Sequence, residues 1–408
     1  PRRQRADRSE IEAAVEAIRG AEKPLVIAGG GVHWSEAESE LLDFIERHRI
    51  PVVETVAGRT SIPQSNPLHA GPLGVTGCTS ANALAGEADL VLAIGTRLQD
   101  FATGSWTVFA NEDMRLIGVN TARFDATKHL AQTVIGDARE TITELGALLD
   151  GWTAPSEWAQ RCASEVAEYH AYIDRIADPD QGDTELPTYA QVVGAVSRTA
   201  TDGTYVLTAA GGFPGELVNG WRSDVCHSFD TEYGYSCMGY EIAGGWGAAM
   251  ALPEREVVVL VGDGSYLMMN SDLYSSVLAG HRMTVIVCDN GGFAVINRLQ
   301  VNQGGVPFNN LIADSRIVDE IRVDFAAHAA AMGCNAETVS SIAELEGALE
   351  RARTADRTTV IAMRTDAYTW TEGGSFWEVG VPEVSPRPEV LAARAELDEG
   401  KRAQRLGW

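Results

Sequence analysis

The sequence predicts an α/β protein built of two doubly wound parallel-sheet domains. Apolar runs of buried-strand length alternate with stretches of helical spacing, the alternation occurs twice, and a polar, helical stretch separates the two series. At 408 residues and 45% apolar composition the chain can bury more than one core, which agrees with that division.

Ser9 followed by Glu12 has capping-box spacing, and Ile11, Val15 and Ile18 recur at helical intervals, so a first helix is expected to run to about Arg19. Pro24 to Ala28 reads as a strand ending in Gly29-Gly30-Gly31. That triplet does not fit G-x-G-x-x-G and reads as a strand-ending turn. Leu41, Leu42, Phe44 and Ile45 mark a helix and Pro51 to Val53 a short strand. Asp89 to Gly95 and Arg115 to Asn120 read as buried strands, and Asp137 to Leu149 as a helix. Residues 1–150 thus form a first domain, and 151–187 a connecting segment closed by the turn cluster Asp178 to Asp183.

The second series has strands at Tyr205 to Thr208, Glu256 to Val261, Met283 to Cys288 and Thr358 to Arg364. Helices are expected near 188–199, 239–251, 267–280, 322–332 and 341–353. Residues 188–365 form the second domain. A tail, 366–408, ends in a charged helix over Pro386 to Arg405.

A net charge of -25 argues against a nucleic-acid partner, because neutralising phosphates requires an excess of Lys and Arg. No apolar run approaches the roughly 20 residues of a membrane helix, and the start lacks a signal peptide's pattern, so no membrane partner is expected. The expectation is a cytoplasmic protein acting on a small molecule. Six cysteines without a C-x-x-C pair suggest neither a disulfide framework nor a zinc site, and are expected to be small buried hydrophobes. The basic, polar opening from Pro1 to Arg8 reads as an interdomain linker.

The chemistry concentrates in the second domain. Open parallel sheets bind ligands beyond the carboxyl ends of their strands, and Asp263 follows the strand Val257 to Val261, flanked by Gly262 and Gly264. A helix is expected to begin near Tyr266, and a helix start favours an anion. A carboxylate beside an anion site is tolerable when a divalent cation bridges them, as in a magnesium diphosphate. The next strand ends in Asp289-Asn290-Gly291-Gly292, 27 residues on from Asp263 to Asn290, the span of one strand-helix-strand unit. Asp263, Asn290 and a following glycine carbonyl can thus meet one cation.

Gly262-Asp263-Gly264-Ser265 with Asn290 at this spacing resembles the cofactor motif of thiamine-diphosphate enzymes. The resemblance implies thiamine diphosphate and Mg2+ as cofactors, with Asp263, Asn290 and the Gly292 carbonyl as metal ligands. It places Met238, 25 residues before Asp263, under the cofactor to hold its rings bent, and the Ser236 carbonyl on the pyrimidine amine. Gly211, Gly212, Gly264 and Ser265 join Asn290 and Asp263 as cofactor-binding residues. Gly212 to Leu217, Glu232 to Gly245, Gly262 to Asn270 and Phe376 to Ser385 look like the subgroup that hydrolyses a cyclic trihydroxy-1,2-dione in inositol catabolism. For that cyclic polyol dione, ring opening by C–C cleavage would give 5-deoxy-glucuronate. Gly71 to Gly74, Ala81-Asn82 and Ala88 to Leu98 resemble the middle domain of the same enzymes, where some members bind FAD or a nucleotide and others nothing.

In this family the cofactor's aminopyrimidine deprotonates its own thiazolium, assisted by a glutamate from a pyrimidine-binding domain. No residue here matches that glutamate, so the resemblance implies such a domain, of roughly 150–200 residues, upstream or on a separate chain. It also implies a homo-oligomer, dimer or tetramer. Within the chain Glu241 and Asn297 are the catalytic candidates, with Arg298 beside them. Tyr368, Trp370, Phe376 and Trp377 around Gly373-Gly374 suggest a hinged aromatic cover. The competing readings are an acetolactate-synthase-like carboligase, a 2-oxo acid decarboxylase, and a non-catalytic cofactor-binding or regulatory protein.

Overall fold

The computed structural model describes residues 2–405. Pro1, which opens the expected linker, and residues 406–408 of the expected tail lie outside the described residues.

The first sheet contains β1 (Pro24–Ala28), β2 (Val52–Glu54), β3 (His69–Pro72), β4 (Leu90–Ile94), β5 (Arg115–Asn120) and β6 (Gln132–Ile135), ordered β3-β2-β1-β4-β5-β6. All its pairings are parallel. Every residue of β1 and β4 is buried, which is why both read as continuous apolar runs. Val26 and Ala28 pack with Ile11, Leu41 and Phe44 on one face, and Leu25 and Ile27 with Leu84 and Trp158 on the other.

Two local expectations change. The first helix, Arg8–Arg19, is capped by Asp7, whose carboxylate accepts from the Ser9 amide at 2.8 Å, so Ser9 is not the cap. The glycine triplet runs directly into a helix, Gly30–Trp34. The Gly29 and Gly31 amides donate to the Ile94 and Gly95 carbonyls at 2.8 and 2.9 Å, so donors that a bound pyrophosphate would need are spent on the end of β4.

The second sheet contains β7 (Thr204–Thr208), β8 (Phe229–Thr231), β9 (Glu256–Gly262), β10 (Thr284–Asp289), β11 (Asn335–Val339) and β12 (Thr359–Arg364). Its order is β11-β12-β10-β9-β7-β8, again all parallel. The order reverses between β7 and β9, so the crevice for a ligand opens beyond their carboxyl ends. The helix expected over 267–280 is two helices, Asp263–Met268 and Asp272–Ala279, and the first begins on Asp263 itself. The helices Phe213–Gly220 and Ala294–Asn302 were not expected from the sequence. Four cysteines are buried as expected; Cys226 is half-buried and Cys237 exposed, the latter because it sits in the loop before the helix Tyr240–Ala251. Among the described residues no helix is long and apolar enough to cross a membrane.

The helix Ser156–Ala177 links the two sheets, and its Tyr169 hydroxyl donates to Asn219 Oδ1 at 2.8 Å. Arg59 donates to the Trp221 carbonyl at 2.8 Å from within a buried network around Glu54. Burial alone would raise the Glu54 pKa. His69 and Arg59 instead hold it at about 2, and the Ser61 and Ile62 amides also donate to the carboxylate at 2.9 and 3.1 Å.

Candidate active site at the carboxyl end of the second sheet

Val257 to Val261 are fully buried, so β9 carries Asp263 to the tip of the sheet. Parallel pairing sets Cys288 of β10 level with Gly262, which brings Asp289 and Asn290 alongside. Asp263 is buried and its Oδ1 has no hydrogen-bond partner among the described residues. Burial, and then the neighbouring Asp289 charge, push its pKa up to about 7 against the pull of the Gly264 and Gly292 amides. Asn290 donates its Nδ2 to the Tyr189 hydroxyl at 2.8 Å, while its Oδ1 is also buried and unpartnered.

Two orphaned oxygens on neighbouring strand ends are a buried deficit that a hard cation would remove. The residues present therefore fit a magnesium ion. Gly292 follows with a φ of 140°, and a side chain there would collide with the Asn310 carbonyl, so only glycine lets this turn close beside Asp263.

Beyond β7, Gly211 has a φ of 78° and open space where a side chain would stand, facing a cavity of about 870 Å³. Gly212, Gly264, Ser265, Asn290 and Gly292 line the same cavity, as do Ser236 and Met238. Asp263 lies just behind this lining, between Gly262 and Gly264, which both form part of it. Ser236 is held at a φ of 53°, a left-handed conformation costly for a residue with a side chain. The Tyr235 and Cys237 amides on either side of it donate to Glu232 at 3.0 and 2.8 Å. The structure thus brings the sequence-predicted cofactor set together around one cavity.

The two catalytic candidates are placed otherwise. Glu241 is fully buried and does not line the cavity. Its carboxylate accepts from the Ala210 and Gly239 amides at 3.1 and 2.9 Å and from the Ser265 hydroxyl at 2.8 Å. It braces three cavity-forming loops, and burial raises its pKa. Asn297 is buried with an unpartnered Oδ1 and is not part of the cavity lining, whereas its neighbour Arg298 is. The Arg298 guanidinium lies 5.3 Å from the Trp370 ring centroid.

Sequence reasoning missed other lining groups. Tyr189 stacks on Phe213 at 3.9 Å and orients Asn290. Glu216 is buried in the wall and bonded to Thr371, and burial raises its pKa. Glu216 lies within the resembling segment Gly212 to Leu217 but was given no role there, and Tyr189 stands in no such segment; both meet the site only once the helices have docked. The first domain closes the opposite wall with Val75 to Gly77 and Gln99 to Phe101. Asn82 pins that wall, accepting from the Gly74 amide at 2.9 Å and donating to its carbonyl at 3.1 Å. In the proposed aromatic cover, Trp370 and Trp377 line the cavity, and Trp377 donates to Asp100 at 3.0 Å. Tyr368 is largely exposed, and Phe376 packs instead against the C-terminal helix at Gly400.

Fold and site together define a thiamine-dependent enzyme, and the chain belongs to the thiamine pyrophosphate enzyme family. Residues 11–145 match the family's central domain and residues 210–363 its C-terminal TPP binding domain. Within it, the chain is similar to proteins named 3D-(3,5/4)-trihydroxycyclohexane-1,2-dione hydrolase. It is 36% identical to that of Clostridium perfringens (strain ATCC 13124), over 98% of this chain and 67% of the relative. It is also 36% identical to a Bacillus cereus protein of that name, numbered 2, over 95% and 64%. The Bacillus licheniformis relative is 36% identical over 94% and 64%. The chain spans about two thirds of the length of these relatives.

Proposed function

We propose that this chain binds Mg2+ and thiamine diphosphate and takes part in ring-opening C–C hydrolysis of a cyclic 1,2-dione in inositol catabolism. The substrate we assign is 3D-(3,5/4)-trihydroxycyclohexane-1,2-dione, opened to 5-deoxy-glucuronate. The observation that carries the reading is the pair of orphaned oxygens, Asp263 Oδ1 and Asn290 Oδ1, beside the cavity. Asp263, Asn290 and the Gly292 carbonyl would hold the cation, and Gly211, Gly212, Gly264 and Ser265 the diphosphate. Met238 would prop the rings and the Ser236 carbonyl accept from the pyrimidine amine. When bound, the cofactor supplies a carbanion equivalent that attacks a carbonyl. Arg298, Gln99 and Gln303, which line the cavity, would bind the oxygens of a polyol dione.

The activating glutamate we assign to a pyrimidine-binding domain outside this chain. Met250, Leu267, Met268, Tyr274 and Leu278 are all about half exposed or more, a surface for that domain to cover within a dimer or tetramer. Titration calorimetry with thiamine diphosphate and Mg2+ tests the site: Asp263→Ala should abolish binding and Asn290→Ala weaken it by roughly tenfold, about 1.4 kcal/mol. Unchanged affinity in Asp263→Ala refutes the site. With the pyrimidine domain supplied, turnover of pyruvate but not of the cyclic dione refutes the substrate.

A further inference from the structure

A second cluster of metal-ligating side chains lies where the first domain meets the second. His33 stands on the helix Gly30–Trp34, Glu38 opens the helix Glu38–His48, and His227 comes from the segment leading into β8. Glu38 Oε1 is 2.7 Å from His33 Nδ1 and 2.8 Å from His227 Nε2, and the two imidazoles approach to 4.5 Å between centroids. His33 and Glu38 are mostly buried, while more than half of the His227 side chain is exposed, so solvent reaches the cluster from one side.

The protonation of His33 follows from its neighbours. Its Nε2 lies 3.0 Å from the Arg59 carbonyl and 3.3 Å from the Ser61 hydroxyl oxygen. A carbonyl can only accept, and Ser61 gives its own proton to the Gly58 carbonyl at 2.6 Å, so Nε2 carries the hydrogen. In the neutral ring Nδ1 is then a lone pair, pointed at a carboxylate oxygen 2.7 Å away. That oxygen also faces His227, whose backbone is held at a φ of 54°. With both rings neutral and bare toward Glu38, three electron pairs converge, and a cation among them takes the place of the protons that otherwise join the rings to the carboxylate.

We propose that His33 Nδ1, His227 Nε2 and Glu38 Oε1 form a zinc-class divalent-metal site that ties the two domains together, its fourth position open to water. Two imidazoles and one carboxylate are a donor set that zinc takes in tetrahedral geometry, whereas Mg2+ selects octahedral oxygen. The His33 Nε2–H bond to the Arg59 carbonyl is the outer contact that fixes the tautomer of a metal-bound imidazole. The three ligating atoms already lie within 4.8 Å of one another. Bond lengths near 2.0–2.2 Å in a tetrahedron separate ligand atoms by roughly 3.3 Å, so the closer pairs must part by about half an ångström. The half-exposed His227 ring has room for that. The site is distinct from Asp263 and Asn290 and does not depend on the reaction proposed for them.

The test equilibrates the protein with Zn2+ in buffer containing Mg2+ and thiamine diphosphate, removes free metal by gel filtration, and measures zinc content and melting temperature. The parent and an Asp263→Asn variant should each retain about one zinc per chain. His227→Gln and Glu38→Gln, checked for folding by circular dichroism, should retain almost none, and the zinc-dependent rise in melting temperature should vanish with it. Co2+ in place of Zn2+ should give the visible absorption of a tetrahedral ion in the parent and not in His227→Gln. A parent that retains no zinc, or a folded His227→Gln that retains as much as the parent, overturns the proposal.

Discussion

Replacing Asp263 by Asn should stabilise the protein while destroying its proposed metal site, because the carboxylate is held where its charge is unfavourable. Its pKa stands at about 7 in the fold against an ordinary 3.8. A raised carboxyl pKa means that the unfolded chain releases its proton first, so stability falls as pH rises from about 4 and levels off above 7. About three pKa units correspond to roughly 4 kcal/mol at pH 8, and the gap of about one unit above 3.8 to roughly 1.5 kcal/mol at pH 5. Asn keeps an acceptor for the Gly264 and Gly292 amides and carries no charge. Urea denaturation with a chelator present, followed by tryptophan fluorescence, should therefore show Asp263→Asn more stable by roughly 4 kcal/mol at pH 8 and by less than half of that at pH 5. Adding Mg2+ and thiamine diphosphate should close the gap, since only the parent gains the roughly 3–4 kcal/mol of linkage expected at 100–1,000 times Kd. An Asn variant no more stable than the parent at pH 8 in chelator, or a gap that fails to shrink at pH 5, refutes the reasoning.

Glu54 behaves in the opposite sense: its pKa is depressed to about 2, so its contribution is complete above its ordinary 4.5 and is lost as pH falls toward 2. Glu54→Gln should cost roughly 3 kcal/mol at pH 7, and the difference in urea midpoint should narrow by pH 3; a pH-independent difference would contradict the charge network. Glu241→Gln puts an amide donor among the Ala210, Gly239 and Ser265 donors, costing about 1–3 kcal/mol and raising the KM for thiamine diphosphate. At saturating cofactor, kcat should stay near the parent value, and a kcat collapse would restore Glu241 as an acid–base candidate.

The limits of the sequence follow from where each element sits. Strands β1, β4, β5, β7, β9, β10 and β12, and the short β2, were legible because they lie inside their sheets and carry unbroken apolar runs. The four strands that were not expected, β3, β6, β8 and β11, are the four sheet edges. With one neighbour and sequences such as Asn-Ala-Glu-Thr-Val, they have no apolar run to announce them. The residues proposed for the metal and the diphosphate could be singled out in the sequence because each follows a buried strand at a fixed spacing. Glu241 is a buried carboxylate that holds the loops around the cavity, a placement that spacing along the chain does not reveal. Tyr189 and Glu216 were not singled out, because nothing next to Tyr189 marks it, the segment around Glu216 does not say which of its residues face a cavity, and only packing brings both to the wall.

The two domains share a fold class but use it differently, and the difference explains why the cavity lies between them. In the second, the reversal of strand order between β7 and β9 leaves Gly211 and Gly264 open to a ligand. In the first, the equivalent crevice between β1 and β4 is closed by Gly29 and Gly31 bonding to Ile94 and Gly95. What the first domain contributes comes from elsewhere: the turn after β3, pinned by Asn82, and the Gln99 to Phe101 loop beyond β4. Its spacing from the second sheet is set by contacts such as Arg59 with Trp221, Asn219 with Thr76 at 2.8 Å and Asp100 with Trp377. Substitution of Arg59, which does not line the cavity, should therefore act on substrate and cofactor binding without touching either, since the far wall of the cavity moves with the first domain.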